Sequence, residues 1–390
     1  MVGLANREDM KKLNTVVFGT GFVGRVHIEG IRRLGNVEVY AIGVGPQDDG
    51  QKLAAEFHVD RFSSDYKQLL SDPAVDAVHI CTPNALHFPI AKAALEAGKH
   101  VLCEKPLATS IGEARALVEL ASKTGLRNCT FHNLRFYPMI QQARRICESG
   151  ELGEVLIVQG TYSQDWLLYE TDWNWRLISA EGGRSRCLAD IGSHWCDGVE
   201  HVTGKRITSL CADIHTFHKT RKKPKRAVDT FSGKALQPED YDDIPIDTED
   251  YAAVMFHMGE GTRGAFTVSQ VSAGRKNSFR FEIFGTKAGL AWDAERQDEL
   301  WIGHRNAPNQ LLLKDPSLLK PEARSYADLP GGHSEGYDDT FKQVFRRFYH
   351  SIENPDARPE YPQFADGLRQ LQILDAEFAS QERKGWVDVV

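Results

Sequence analysis

The run Gly19-Thr20-Gly21-Phe22-Val23-Gly24 constrains this chain most, because it follows directly on the β-branched and aromatic stretch Asn14 to Phe18. Apolar residues then recur at Val23, Val26, Ile31 and Leu34, and Gly35 supplies a stop. The stretch therefore reads as strand, glycine-rich turn and helix. Three glycines at that spacing have separate steric uses. The first makes a tight turn, the second lets backbone approach a pyrophosphate, and the third lets the helix pack on the strand, its N-terminus facing the phosphates. The same letters outside a strand–turn–helix setting would be a weak signal. Here they mark Gly19, Gly21, Phe22, Val23 and Gly24 as candidate dinucleotide-binding residues.

The pattern of alternation continues downstream. Strands are expected at Val37 to Val44, Ala77 to Cys81, His100 to Cys103 and Asn128 to Phe131, with helices at Gln51 to Phe57, Asp65 to Leu70, His87 to Leu95 and Ile111 to Ser122. Strands alternating with helices of about ten residues specify a doubly wound parallel sheet, a Rossmann domain, over residues 1–133. In such sheets ligands bind at the carboxyl ends of the strands. The step Lys105-Pro106 cannot continue a central strand, so Glu104 and Lys105 are left at that edge. Taken alone they read as a solvated turn; their setting makes them candidates for the site. After the second strand the chain reads Gly43-Val44-Gly45-Pro46-Gln47-Asp48-Asp49. Neither the usual acidic residue nor a basic one for a 2′-phosphate stands there, which favours NAD over NADP only slightly. Asp48 and Asp49 read more readily as turn acids than as ribose ligands.

From residue 134 to 390 the pattern changes. A helix at Met139 to Glu148 precedes strands at Glu154 to Ser163, Arg206 to Phe217, Tyr251 to His257, Thr262 to Val271, Ser278 to Phe284, Gly289 to Trp292 and Leu300 to Ile302. The later ones follow without helices between them, which implies a large, mostly antiparallel sheet in an α+β domain. Helical periodicity returns at Glu335 to Ile352 and Phe364 to Phe378. Lys219, Arg221, Lys222, Lys223, Lys225 and Arg226, followed by the acidic run Glu239 to Asp250, read as a solvated loop. With 390 residues, two domains are expected. The net charge of -7 argues against nucleic acid or an acidic membrane as partner. No apolar run reaches membrane-span length and no signal-peptide core is evident, so the cytoplasm is the expected location. The seven cysteines are scattered without a C-x-x-C pair, which signals neither a disulfide framework nor a zinc site. No metal site is expected.

The chemical candidates of the second region lie in Asp190-Ile191-Gly192-Ser193-His194-Trp195-Cys196-Asp197. Ser193 is a suitable helix N-cap, which would put His194 in the first turn, where the dipole keeps the ring neutral and able to accept a proton. Asp190, four residues earlier, could orient that ring or raise its basicity, the plainer reading being a turn residue beside an interior histidine. Asp165-Trp166, Trp173, Trp175-Arg176 and His333 suit a ligand with apolar C–H faces and a polar rim, although tryptophans in a sheet domain are more often core.

Five motifs in order then carry a resemblance over nearly the whole chain. They are Gly19-x-Gly21-x-x-Gly24 with His27, Thr82-Pro83-Asn84 with His87, Glu104-Lys105-Pro106, Asn133-Leu134-Arg135-Phe136-x-Pro138, and Asp190-Ile191-Gly192-x-His194-x-x-Asp197. The chain resembles the glucose–fructose oxidoreductase and inositol dehydrogenase family of nicotinamide-dependent sugar and polyol dehydrogenases. That resemblance implies a cofactor of NAD or NADP, with Thr82, Pro83, Asn84, His87, Glu104 and Lys105 among its binding residues. It implies catalysis by Lys105, Asp190 and His194 across a domain cleft, and an open-faced sheet used for oligomer contacts, so a homodimer or homotetramer is expected; Asp165, Trp175, Arg176 and His333 are substrate candidates by residue type alone. Val44-Gly45 departs from the family pattern, which leaves the choice of cofactor open. The residues fit alcohol oxidation: a neutral histidine takes the hydroxyl proton, and an ammonium offsets the charge developing on the alkoxide. Two other readings compete. One is a relative that cleaves glycosides by transient oxidation; the other is a non-catalytic sugar or nucleotide sensor. Intact Glu104-Lys105-Pro106, Asp190 and His194 favour the dehydrogenase.

Overall fold

The computed structural model describes residues 12–225 and 238–390, which divide into two compact units. The first comprises residues up to Ala108, Gly112–Phe131 and Phe341–Ala365. Its elements run β1 (Leu13–Phe18), α1 (Phe22–Arg32), β2 (Val37–Gly43), α2 (Gly50–Phe57), β3 (Phe62–Ser63), α3 (Tyr66–Leu70), β4 (Ala77–Ile80), α4 (His87–Glu96), β5 (His100–Cys103), α5 (Ile111–Thr124) and β6 (Asn128–Thr130). The strands form one parallel sheet in the order β3-β2-β1-β4-β5-β6. Val16, Val17, Ala77, Val78, Val101 and Leu102 are fully buried. A run that is apolar on both faces is what a strand covered by helices on either side requires. Only the short β3 went unanticipated; two residues carry no periodicity to read.

The second unit holds α6 (Pro138–Glu148), β7 (Val155–Ser163), α7 (Ser179–Gly182), α8 (Ser193–Thr203), β8 (Ser209–His215), β9 (Thr220–Pro224), β10 (Tyr241–Pro245), β11 (Tyr251–Met258), β12 (Thr262–Ser269), β13 (Ser278–Gly285), β14 (Gly289–Asp293), β15 (Glu299–Gly303), β16 (Gln310–Leu313) and α9 (Pro321–Arg324). Then come α10 (Tyr337–Glu353), α11 (Phe364–Arg383) and β17 (Val387–Asp388). Its main sheet has nine strands, in the order β16-β15-β14-β13-β7-β12-β11-β8-β17. It is mostly antiparallel as expected, but β7 and β12 pair in parallel. The reason is connectivity: a long excursion through α8, β8 and β11 separates them, and a crossover of that length permits parallel pairing. From Phe341 onward α10 belongs to the first unit, where Phe341 and Phe345 pack against His27 and Phe131. The anticipated division at residues 133 and 134 is continuous in sequence, whereas the compact units are not.

The charged insertion is not simply a solvated loop. Among its described residues β9 and β10 form a separate two-stranded ladder, with Lys222 paired to Asp243 at 2.5 Å. Arg221, pointing the other way, is fully buried with Asp250, at 2.8 Å. Its guanidinium also donates to the carbonyls of Leu167 and Tyr169. Burial of these charges is tolerable because both terminal nitrogens of the guanidinium meet acceptors on several sides, although Nε has none. Arg226 lies outside the described residues.

Candidate functional site

In the first unit the glycine turn follows β1. Gly19 has φ +94°, and a Cβ there would lie 2.5 Å from the Cys81 carbonyl oxygen. A Cβ on Gly24 would lie 2.0 Å from the Gly19 carbonyl oxygen. Both glycines are therefore required by packing alone. Gly21 differs: its φ of −70° and ψ of −168° suit any residue, and a Cβ would meet nothing within 4 Å. Open space directly before the first turn of α1 is what a pyrophosphate needs beside helix N–H groups, so the turn fits a dinucleotide. Phe22 begins α1 with its ring more than half exposed, and Val23 is half-buried.

Thr82, Pro83 and Asn84 follow β4, and Asn84 opens a short 3₁₀ turn leading into α4. His87 is buried, with Nδ1 2.7 Å from the Pro106 carbonyl oxygen and Nε2 3.0 Å from that of Thr82. It ties the loop after β4 to the loop after β5. Burial lowers its pKa, against the pull of the two carbonyls. Asp48 accepts from the Gly45 amide and Asp49 caps α2 by accepting from the Lys52 amide, so both acids serve the turn after β2.

Glu104 and Lys105 stand at the carboxyl end of β5, and the Lys105–Pro106 peptide is cis. One Glu104 carboxylate oxygen accepts from the Lys105 amide at 3.2 Å, and the other lies 3.1 Å from His27 Nε2. Behind it the contacts continue: His27 Nδ1 to His79 Nδ1 at 2.8 Å, then His79 Nε2 to the Tyr349 hydroxyl at 2.8 Å.

In the second unit the run from Asp190 to Asp197 folds differently from the expectation. A π-helical turn, Leu188–Gly192, leads without a break into α8. Ser193 is helical and its hydroxyl donates to the Ala189 carbonyl, so it is no N-cap. His194 consequently sits inside a continuous helical run, and the helix-terminus argument for a neutral ring lapses. The short polar side chain could equally bond back to a carbonyl four residues earlier, and that alternative won. His194 is buried, with the His132 ring packed edge-on at 5.5 Å.

Asp190 is held from two sides. Arg176 Nε lies 3.3 Å from one oxygen, and Gln270 donates to the other at 2.8 Å. Gln270 in turn accepts from Arg186, which pairs with the buried Asp250. Arg176 stacks on the Trp175 ring at 4.4 Å, so Trp175, Arg176 and Asp190 form one cluster. Arg135 clamps Asp197, donating from Nε at 2.6 Å, and also pairs with Asp366 at 3.0 Å. The motif around Asn133 thereby bolts onto the helix that carries His194. Asp165 instead pairs with Lys276 at 2.7 Å and accepts from the Gly274 amide. His333 is exposed, on a loop whose backbone is gripped by Lys314, itself paired with Glu335 at 2.9 Å in a buried contact. Sequence reasoning gave no role to His132, Gln270, Arg186 or Tyr349; only His132, adjoining the Asn133 motif, lay near a signal. Among the described residues no group of three or more His, Cys, Asp and Glu side chains is disposed to hold a metal, and no helix is long and apolar enough to cross a membrane.

Known proteins match this arrangement. The model of an oxidoreductase family with an NAD-binding Rossmann fold matches residues 13–132, and that of the GFO/IDH/MocA C-terminal domain matches residues 140–291. Levoglucosan dehydrogenase of Pseudarthrobacter phenanthrenivorans is 29% identical over 97% of this chain and 99% of its own. The uncharacterized oxidoreductase YhhX of Escherichia coli is 42% identical over 81% of each chain. A solved levoglucosan dehydrogenase, in complex with NADH and L-sorbose, superposes with a TM-score of 0.87 at 27% identity, covering 98% of this chain and 100% of that one. The chain thus belongs to the GFO/IDH/MocA family of oxidoreductases, with its NAD-binding Rossmann domain followed by its C-terminal domain.

Proposed function

We propose that this protein oxidises a secondary alcohol of a sugar, sugar derivative or cyclitol, passing the hydride to NAD. The observation that carries the reading is the position of Lys105. It stands at the carboxyl end of β5, the same edge of a parallel sheet at which the glycine turn after β1 keeps open space over Gly21. Bound nicotinamide supplies the hydride acceptor. His194 takes the hydroxyl proton, and the Lys105 ammonium stabilises the negative charge that develops on the oxygen. Asp190, fixed by Arg176 and Gln270, orients the acid–base group. Trp175 with Arg176, Asp165 and His333 meet the ring faces and hydroxyl rim of the substrate. The likeness to levoglucosan dehydrogenase supports this substrate class. NAD is used with the higher kcat/KM, since Val44 to Asp49 bring no basic residue for a 2′-phosphate. The protein works as a homodimer or homotetramer.

The test is a panel of monosaccharides, inositols, anhydrosugars and glycosides, read by nicotinamide absorbance with NAD and with NADP. Reduction of NAD by a member of the first three classes is expected. Turnover confined to glycosides, with released aglycone and no net NADH, would replace the dehydrogenase with the glycoside-cleaving reading.

A further inference from the structure

Behind the Glu104 carboxylate lies a chain of polar groups inside an otherwise apolar interior. His27 and His79 are each fully buried, and Tyr349 is nearly so. Phe131, Phe341 and Phe345 pack around the His27 ring, and Phe345 and Phe348 around that of His79. Polar rings are placed in such surroundings at a cost, which falls away only if every nitrogen is satisfied.

With Glu104 ionised, the contacts fix which atom donates. An ionised carboxylate only accepts, and Glu104 already accepts the Lys105 amide. His27 must therefore present Nε2–H to Glu104, which leaves its Nδ1 bare when the ring is neutral. His79 then donates Nδ1–H to that nitrogen, which leaves its own Nε2 bare, and the Tyr349 hydroxyl donates to it. All three donors point the same way, toward Glu104. If Glu104 were protonated, the whole direction could reverse; ionised, it admits one direction.

We propose that His27, His79 and Tyr349 are positioning residues, a one-way hydrogen-bonded chain that holds Glu104 ionised and aimed at the Lys105 amide, and so fixes where the Lys105 side chain leaves β5. The proposal rests on the role assigned to Lys105 above. Its elements come from far apart in sequence: α1 supplies His27, β4 His79, the residue just past β5 Glu104, and α10 Tyr349. Aligned donors polarise one another, so loss of the far end weakens the bond at Glu104.

Two measurements test it. Long-range ¹H–¹⁵N correlation on protein labelled at histidine should show His27 as the Nε2–H tautomer and His79 as the Nδ1–H tautomer, unchanged from pH 6 to 8. The opposite tautomers, or a cationic ring, would overturn the proposal without reference to activity. In turnover assays His27→Leu should lower kcat about tenfold or more, the scale for losing a hydrogen bond to a charged group. KM for NAD and for the alcohol should stay within about twofold. Tyr349→Phe should give a smaller loss of the same kind. His27→Gln, which keeps an N–H near Glu104, should recover a good part of the His27→Leu loss; a merely space-filling role would not distinguish the two. If Lys105→Met is inactive while folded His27→Leu and Tyr349→Phe turn over normally, the chain does not position the lysine and the proposal fails. If Lys105→Met itself turns over normally, the catalytic reading of Lys105 fails, and the bracing role resting on it goes too, whatever tautomers the rings show.

Discussion

Two side chains carry the proposed chemistry, and they should fail differently when removed. His194→Ala removes the proton acceptor, so kcat should fall by ~10²–10⁴ with binding of NAD and alcohol largely kept. Lys105→Met removes a charge that matters most when the alkoxide forms, so kcat should fall by ~10²–10³ with little change in ground-state binding. Steady-state kinetics on both, with NAD affinity measured separately, decides it. Near-normal turnover of His194→Ala would move the acid–base role elsewhere. The buried histidines make a second prediction, about stability. Burial pushes the His27 pKa down to about 3, and burial with the neighbouring His27 pushes that of His79 well below its ordinary value. As pH falls below about 6.5 the unfolded chain binds protons on both rings while the folded chain does not. Stability should therefore drop on acidification by about 1.4 kcal/mol per pH unit for each such ring. Urea titrations from pH 7 to 5 should show a slope lower by about that amount in His27→Gln than in the unmodified protein, and equal slopes would mean the His27 ring is charged in the folded protein.

At the scale of elements, the turn between β1 and α1 and the clamp on α8 make opposite predictions. Gly21→Val places a side chain in open space, so the protein should fold normally and lose NAD affinity by well over tenfold, read by nicotinamide fluorescence. Unchanged affinity in a folded variant would show that the space over Gly21 is not used. Arg135 acts on structure. Its carboxylate partner Asp197 is almost wholly buried, and removing one member of a buried pair costs about 3–5 kcal/mol. Arg135→Ala should lose stability on that scale in urea unfolding. Arg135→Lys should lose less, keeping the charge but not the two-pronged geometry. A loss under 1 kcal/mol in the alanine variant would mean the clamp is dispensable. The glycine turn was legible because steric demand writes itself into adjacent residues. The clamp was not, because Arg135, Asp197 and Asp366 meet only through tertiary packing. Ser193 misled for a local reason: a serine before a helical run fits a cap or a back-bond equally well, and the π-helical turn ahead of it left no terminus to cap.

For the molecule as a whole, legibility followed the range of the interactions. The parallel sheet of the first unit was readable from strand–helix alternation and buried runs. The central place of β7 in the nine-stranded sheet was not, because nothing in its own residues announces a partner a hundred positions away. Asp190 was singled out from its motif, whereas Gln270 and Arg186, which hold it, come from distant segments. The large sheet also bears on assembly. One row of its outer face can be followed in register from Cys211 through Met255, Ala265, Gln159, Glu282, Ala291 and Trp301 to Leu311. Their neighbours Val254, Phe256, Phe266, Val158, Phe281 and Leu290 point inward and are buried. Met255 and Leu311 stand more than half exposed on the outer face, and only the centre of the row is polar, where Gln159 donates to Glu282 at 2.7 Å. Exposed apolar side chains at both ends of one row are costly to leave in water. A second copy of the same chain would bury both flanks at once, because a two-fold axis near Gln159 sets like surfaces against each other. Sedimentation at micromolar concentration should therefore show a dimer or tetramer. Met255→Glu should shift it toward a smaller species while leaving the NAD affinity unchanged, since the substitution lies on the second unit's sheet. A strictly monomeric profile for the unmodified protein would mean that this face stays open to solvent.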